Sequence, residues 1–233
     1  MFAVIFEVLP KERRMDDYLA LAKMLKPDLV QIDGFIDNER FGSKRTEGRI
    51  LSLSTWRDEK AVVRWRTLGV HHETQGTGRR EIFTDYHLRV GEVTADTHVP
   101  EGERLQELHF DETGVGLSKA VTISELAGED KESASSDLGS ILQLPAIAVS
   151  GLLDQDVFES ITNPGKLLLL VSWKSAAAAG AWQPTTPAGR DLRHRQVRVI
   201  RDYGMFDRRE APQFYPAVDA VELAHPGNGD RVS

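Results

Sequence analysis

The sequence predicts an α+β protein: two tandem ferredoxin-like (βαββαβ) modules, the open sheet face of one covered by the other as an intrachain pseudo-dimer. Three observations predict it. The chain has 233 residues, room for two domains of about 100 residues each. It matches itself on sliding: Trp56 to Trp173 and Trp65 to Trp182 are the same distance apart (173 − 56 = 182 − 65 = 117), and a fixed period marks a repeated unit. Within one period the hydrophobic pattern switches from strand to helix in the order βαββαβ.

The offset also pairs Gly34-Phe-Ile-Asp37 with Gly151-Leu-Leu-Asp154, Phe41 with Phe158, Ser43 with Ser160, Gly48 with Gly165 and Asp85-Tyr86 with Asp202-Tyr203. It pairs Ala3-Val4 with Ala120-Val121, and no gap is required anywhere. The expected boundaries are 1–93 for the first module, 94–117 for a linker with one extra strand near Leu105 to Phe110, 118–210 for a diverged second module and 211–233 for a surface tail.

Residues 2–9 are β-branched and aromatic and read as a strand. Met15, Tyr18, Leu19, Ala22 and Leu25 follow at helical spacing, and Pro27 ends that run. Residues 31–42 read as a second strand. Residues 50–56 read as a third, with Ile50, Ser52 and Ser54 on one face and Leu51 and Leu53 on the other. A short amphipathic helix carries Ala61, Val62 and Trp65, and residues 79–93 form the fourth strand. The second module keeps a strongly apolar strand at 167–173. Its helices are weak, since residues 133–146 hold Gly139 and several serines and residues 175–187 are stopped by Pro184 and Pro187.

The net charge of −7 argues against a nucleic-acid partner. The absence of cysteine excludes disulfides, thiolate chemistry and thiolate metal sites. No segment reads as a signal peptide or membrane span, so a cytoplasmic protein with no membrane partner is expected. The glycine-containing stretches at 76–81 and 114–119 lack the third glycine of a dinucleotide fingerprint. His71, His72 and Glu73 are adjacent and cannot converge on one ion from a helix, so no metal site is expected.

Trp56 ending a strand, Trp65 on the next helix, His71, Gln75, and Phe83 and Tyr86 on the following strand form a pattern that resembles antibiotic-biosynthesis-monooxygenase domains. The resemblance covers the first module and, more weakly, the second. It implies a dimeric α+β barrel with a cavity between sheet and helices. It also implies a small-molecule substrate and cofactor-independent oxygenation of an aromatic or polyketide-like compound. Haem-degrading relatives of the same superfamily supply the alternative cofactor, haem, although their first-strand Asn has no match in residues 2–9. A non-enzymatic binding role is the third reading. The resemblance leaves room for a homodimer of chains beyond the intrachain pairing.

The candidate catalytic residues are His71, Trp65 and Gln75. His71 has the side chain suited to take a proton near neutral pH. Tyr86, Phe83 and Arg40 are the candidate substrate-binding residues. At the constant offset His71, His72 and Gln75 become Ala188, Gly189 and Leu192, which places one working cavity in the N-terminal half.

Overall fold

A computed structural model describes residues 1–127, 137–146 and 151–212. The first half runs β1 (Phe2–Pro10), α1 (Met15–Leu29), β2 (Phe35–Ser43), β3 (Ile50–Trp56), α2 (Glu59–Thr67), α3 (Gly69–Thr77), a single π turn (Gly78–Ile82) and β4 (Phe83–Asp96). The second runs β5 (Ala120–Ala127), α4 (Leu138–Ile141), β6 (Leu152–Ser160), β7 (Leu167–Trp173), α5 (Ala176–Gly180) and β8 (Asp191–Gly204). All strand pairs are antiparallel, and the strands close in the order β1-β3-β2-β6-β7-β5-β8-β4. Each half is thus a ferredoxin-like sheet of order β4-β1-β3-β2 or β8-β5-β7-β6. The two sheets join edge to edge through β4–β8 and β2–β6, and closure leaves no free strand edge.

Because both faces of each sheet are covered, the inner strands β1 and β7 read as nearly continuous apolar runs. In β1, Ala3 and Ile5 point into the barrel with Leu51, Leu53, Phe41, Val121, Ile123, Phe158, Leu168 and Leu170 from both halves. Phe2, by contrast, packs with Trp56, Leu29, Ala61 and Val62 on the outer side. Trp56 also donates from Nε1 to Ser54 Oγ at 2.9 Å, so its polar tip is satisfied. α2 and α5 start alike: Asp58 accepts from Ala61 N at 2.8 Å and Ser175 from Ala178 N at 3.1 Å.

The repeat carries gaps that the constant offset hides. β2 and β3 match β6 and β7 at 117, but Phe2 and Ala120 both pair with the strand-ending tryptophan (120 − 2 = 118). Ile5 pairs with Arg89 and Ile123 with Arg195, so the last strands match at 106 (195 − 89). The Ala3–Ala120 and Asp85-Tyr86–Asp202-Tyr203 equivalences are therefore wrong. The correct ones are Ala3 with Val121 and Tyr86 with Leu192. The shortfall in the second half falls where the first carries α3 and the π turn, so His71, His72 and Gln75 have no counterparts at all.

The corrected register exposes a symmetric polar frame inside the barrel. Arg89 donates to Glu7 Oε1 at 2.5 Å and to Ser172 Oγ at 2.8 Å. Arg195, its equivalent, donates to Glu125 and to Thr55 Oγ1, the latter at 3.0 Å. Each arginine thus holds the glutamate of its own half and a hydroxyl of the other, the reciprocity expected of a two-fold interface. Glu92 faces Arg198 where the frame maps onto itself. Beside them, at 91, only glycine fits, since a Cβ there would lie 2.3 Å from the Arg198 carbonyl oxygen.

Four local expectations need correction. Pro27 lies inside the last turn of α1 and does not end it, because Val30 N still bonds Lys26 O. β2 begins at Phe35, after the turn at Gly34, whose φ is +91°. Residues 79–82 belong to the π turn, so β4 begins at Phe83. The segment 105–110 forms no strand; it is held by Leu108 N and His109 N donating to the Glu92 carboxylate. Of the expected first helix of the second module, residues 133–136 lie outside the described residues, as does the tail from 213; within 137–146 only Leu138–Ile141 is helical, as the glycine and serines there lead one to expect. Among the described residues no helix is long and apolar enough to cross a membrane.

Candidate functional site

The outer face of the first-half sheet and helices α1, α2 and α3 enclose a cavity of about 400 Å3, within the range of small-molecule sites. Its floor is built by strand alternation: Val4 and Phe6 of β1, Asn38 and Arg40 of β2, Ser52 and Ser54 of β3, and Leu88 and Val90 of β4. Helix α1 supplies Tyr18, Leu21 and Leu25. All six predicted site residues line it.

Trp65 and His71 form one unit. Leu68 adopts an extended backbone (φ −60°, ψ 127°), which ends the expected short helix as α2 and starts a further helix, α3. The break folds His71 back onto Trp65, with ring centroids 4.0 Å apart and planes 17° from parallel. His71 Nδ1 lies 2.9 Å from the Trp65 carbonyl oxygen. A carbonyl only accepts, so Nδ1 carries the proton and Nε2 holds the free lone pair. Burial pushes the imidazole down to about 4, against the raising effect of that carbonyl, so the ring is neutral near pH 7. Gln75 follows one helical turn later on the same side, and His72 is exposed at the rim.

Phe83 and Tyr86 are buried and pack edge to face, their centroids 6.3 Å apart. The Arg40 guanidinium sits 6.0 Å from the centre of the Tyr18 ring, and its Nε is buried without an acceptor. Asn38, which sequence reasoning missed, donates to Ser52 Oγ at 3.1 Å and to Leu53 O at 3.0 Å. Also missed were Arg201, Tyr203 and Arg208, which reach the cavity from β8 and the segment after it. Arg208 donates to the Tyr86 hydroxyl. The cavity is therefore not made by the N-terminal half alone. The available signal was the alternation of Arg201 and Tyr203 along β8, but the wrong register concealed it.

The second half fills the equivalent space. Trp182, the partner of Trp65, turns inward against Trp173 at 5.9 Å and donates to Leu142 O at 3.2 Å. Leu138 and Leu142 complete the plug. His194 is buried there, its Nδ1 2.8 Å from Ser124 Oγ. Burial pushes it down to about 4 from an ordinary 6.5. The unfolded chain then binds a proton between those values that the folded one does not. Stability is full above pH 6.5 and falls as pH drops toward 4, by about 3 kcal/mol for this group. Urea midpoints at pH 7, 5.5 and 4.5 should fall less steeply in His194→Leu than in the parent; parallel curves would refute the assignment.

Residues 1–77 match the family described as antibiotic biosynthesis monooxygenase. Over 223 residues the chain is 44% identical to a protein of Pyricularia oryzae named jasmonate monooxygenase ABM, covering 93% of this chain and 99% of that one. Two solved structures resemble it at lower identity. An anthrone oxidase-like protein is 13% identical over 90% of this chain and 95% of its own, with a TM-score of 0.36. An aldoxime dehydratase is 12% identical over 85% of this chain and 80% of its own, with a TM-score of 0.49. The extent and identity of the Pyricularia match carry the assignment: the chain belongs to the antibiotic biosynthesis monooxygenase family.

Proposed function

We propose that the chain is a cofactor-independent monooxygenase of a small, apolar-bodied molecule of the aromatic or polyketide kind, with His71 as the base. The observation that carries this reading is the neutral His71, its tautomer fixed by the Trp65 carbonyl, in the wall of an apolar cavity. Its relative's name makes jasmonate the other substrate to test.

The base is weak. A gap between about 4 and the roughly 10 of a phenol corresponds to about 8 kcal/mol against proton transfer. The anion must therefore be stabilised where it forms, by the imidazolium and by the arginines of the cavity wall. Phe83 and Trp65 exclude water, and Tyr86, Gln75 and Arg40 hold substrate oxygens. The chemistry balances without a cofactor when an activated methylene is oxidised: the substrate CH2 and O2 give C=O and H2O, and the substrate supplies all four electrons. Helix α3 has no fully buried residue, its inward His71 being half-buried, and no capping side chain, so it is a part of the wall that opens easily.

The residues fit haem poorly. No Asn lies on β1, and the amide nitrogen of Asn38, the polar floor residue nearby, is spent on Ser52 and Leu53. An open cavity in the first half also counts against a purely structural role. Oxygen uptake by the purified chain, with an anthrone and with jasmonate, tests the proposal. One O2 consumed per ketone formed, with no added reductant, is expected. Uptake that requires a nicotinamide or haemin would overturn it.

A further inference from the structure

The cavity floor is polar at its β2 end, apolar in the middle and cationic at its β8 end. Strand register places Arg40, Ser52, Phe6, Leu88 and Tyr203 in one row across five neighbouring strands. At about 4.8 Å per strand the ends of the row are about 19 Å apart. Three arginines gather at the far end: Arg66, Arg201 and Arg208 all line the cavity, and the fields of all three reach the Tyr203 phenol. Burial still pushes that phenol up to about 12, so it stays neutral and supplies no countercharge.

Elsewhere in the protein, buried arginines are matched. Arg89 holds Glu7 and Arg195 holds Glu125. The three arginines at the end of the cavity are half-buried and lack that match. Arg201 is 3.8 Å from Glu59, a carboxylate that also lies 3.4 Å from His109. Among the described residues Arg66 and Arg208 pair with no carboxylate. The neighbours of Arg208 are neutral, namely the Tyr86 hydroxyl and the Tyr203 ring at 5.8 Å. Arg208 is nonetheless held firmly. Two residues on, the Glu210 carboxylate accepts from Thr113 Oγ1 at 2.7 Å, Gly114 N at 2.7 Å, Val115 N at 3.1 Å and Asp202 N at 2.7 Å. A cation fixed in advance and left without a counterion is arranged for an incoming anion.

We propose that the Arg66–Arg201–Arg208 end of the cavity binds the carboxylate of the substrate, so that the second half of the chain completes a pocket built mostly by the first. The substrate class is an organic monocarboxylate whose apolar body lies over Phe6, Val4 and Leu88. This rests on the cavity being the substrate site. Arg40, a single cation at the other end, holds an uncharged oxygen.

The test is calorimetric titration of the full chain with jasmonate and with its methyl ester, for the parent, Arg208→Gln and Arg40→Gln. Jasmonate should bind at least about tenfold more tightly than the ester. Arg208→Gln should remove that preference by weakening the acid alone, with an unchanged melting temperature. Arg40→Gln should weaken acid and ester equally. An ester bound as tightly as the acid would overturn the proposal, as would a preference erased by Arg40→Gln and not by Arg208→Gln. Tight, acid-selective binding with no oxygen uptake would leave the subsite standing and remove the monooxygenase reading. Failure of the parent to bind either compound overturns the carboxylate subsite, while oxygen uptake with an anthrone still decides the monooxygenase reading.

Discussion

Arg195→Met should cost about 3–5 kcal/mol of stability. The side chain is 1% exposed and holds Glu125, itself 8% exposed, together with Thr55 of the other half. Removing the guanidinium leaves a buried carboxylate whose remaining partner is Lys166, with Nζ 2.5 Å from Oε2. The melting temperature should fall by about 10 °C for a chain of this size. Adding Glu125→Met should restore part of the loss, because a buried ion pair is often replaceable by well-packed apolar groups, whereas half of one is not. A single exchange that melts within a degree of the parent would show that the frame contributes nothing.

His71→Phe should lower kcat by about 10²–10⁴-fold while the stacking on Trp65 survives. Phenylalanine keeps the ring and removes Nε2, so it separates proton transfer from packing better than alanine does. The parent rate should also stay flat down to about pH 5 and fall only near pH 4, because burial holds the imidazole at about 4. A base of ordinary basicity would halve the rate near 6.5. A His71→Phe enzyme with the parent rate, or a profile breaking near 6.5, would remove His71 from the chemistry.

The sequence made much of this legible, for a definite reason. β1 and β7 are apolar on both faces over most of their length because each separates a barrel interior from a helix layer, and such runs stand out. The tryptophan pairs marked β3 with β7, and there the constant offset held. It failed at the ends of each half. A slip of one residue turns every side chain of a strand to the other face, so pairing Ala3 with Ala120 hid the equivalence of Glu7 and Glu125. The missing α3 in the second half hid that of Arg89 and Arg195. All four residues were visible in the sequence, but only the strand register brings them together.

The predicted site residues do meet in one cavity, since a tryptophan, a histidine and an aromatic strand within 22 positions (86 − 65 = 21 steps) can only line neighbouring elements. Arg201, Tyr203 and Arg208 were not legible, because closing the barrel brings β8 against β4 from more than 100 residues away. His71 was named for a basicity it does not have. Its burial against Trp65 depends on the backbone break at Leu68, which no local pattern announces.

The decisive measurement is a crystal structure of the protein with jasmonate bound. The ligand should lie between the Trp65–His71 pair and the Phe6–Leu88 floor, its two carboxylate oxygens toward Arg208 and Arg201. Density inside the barrel beside Lys166, or a carboxylate turned toward Arg40, would contradict it.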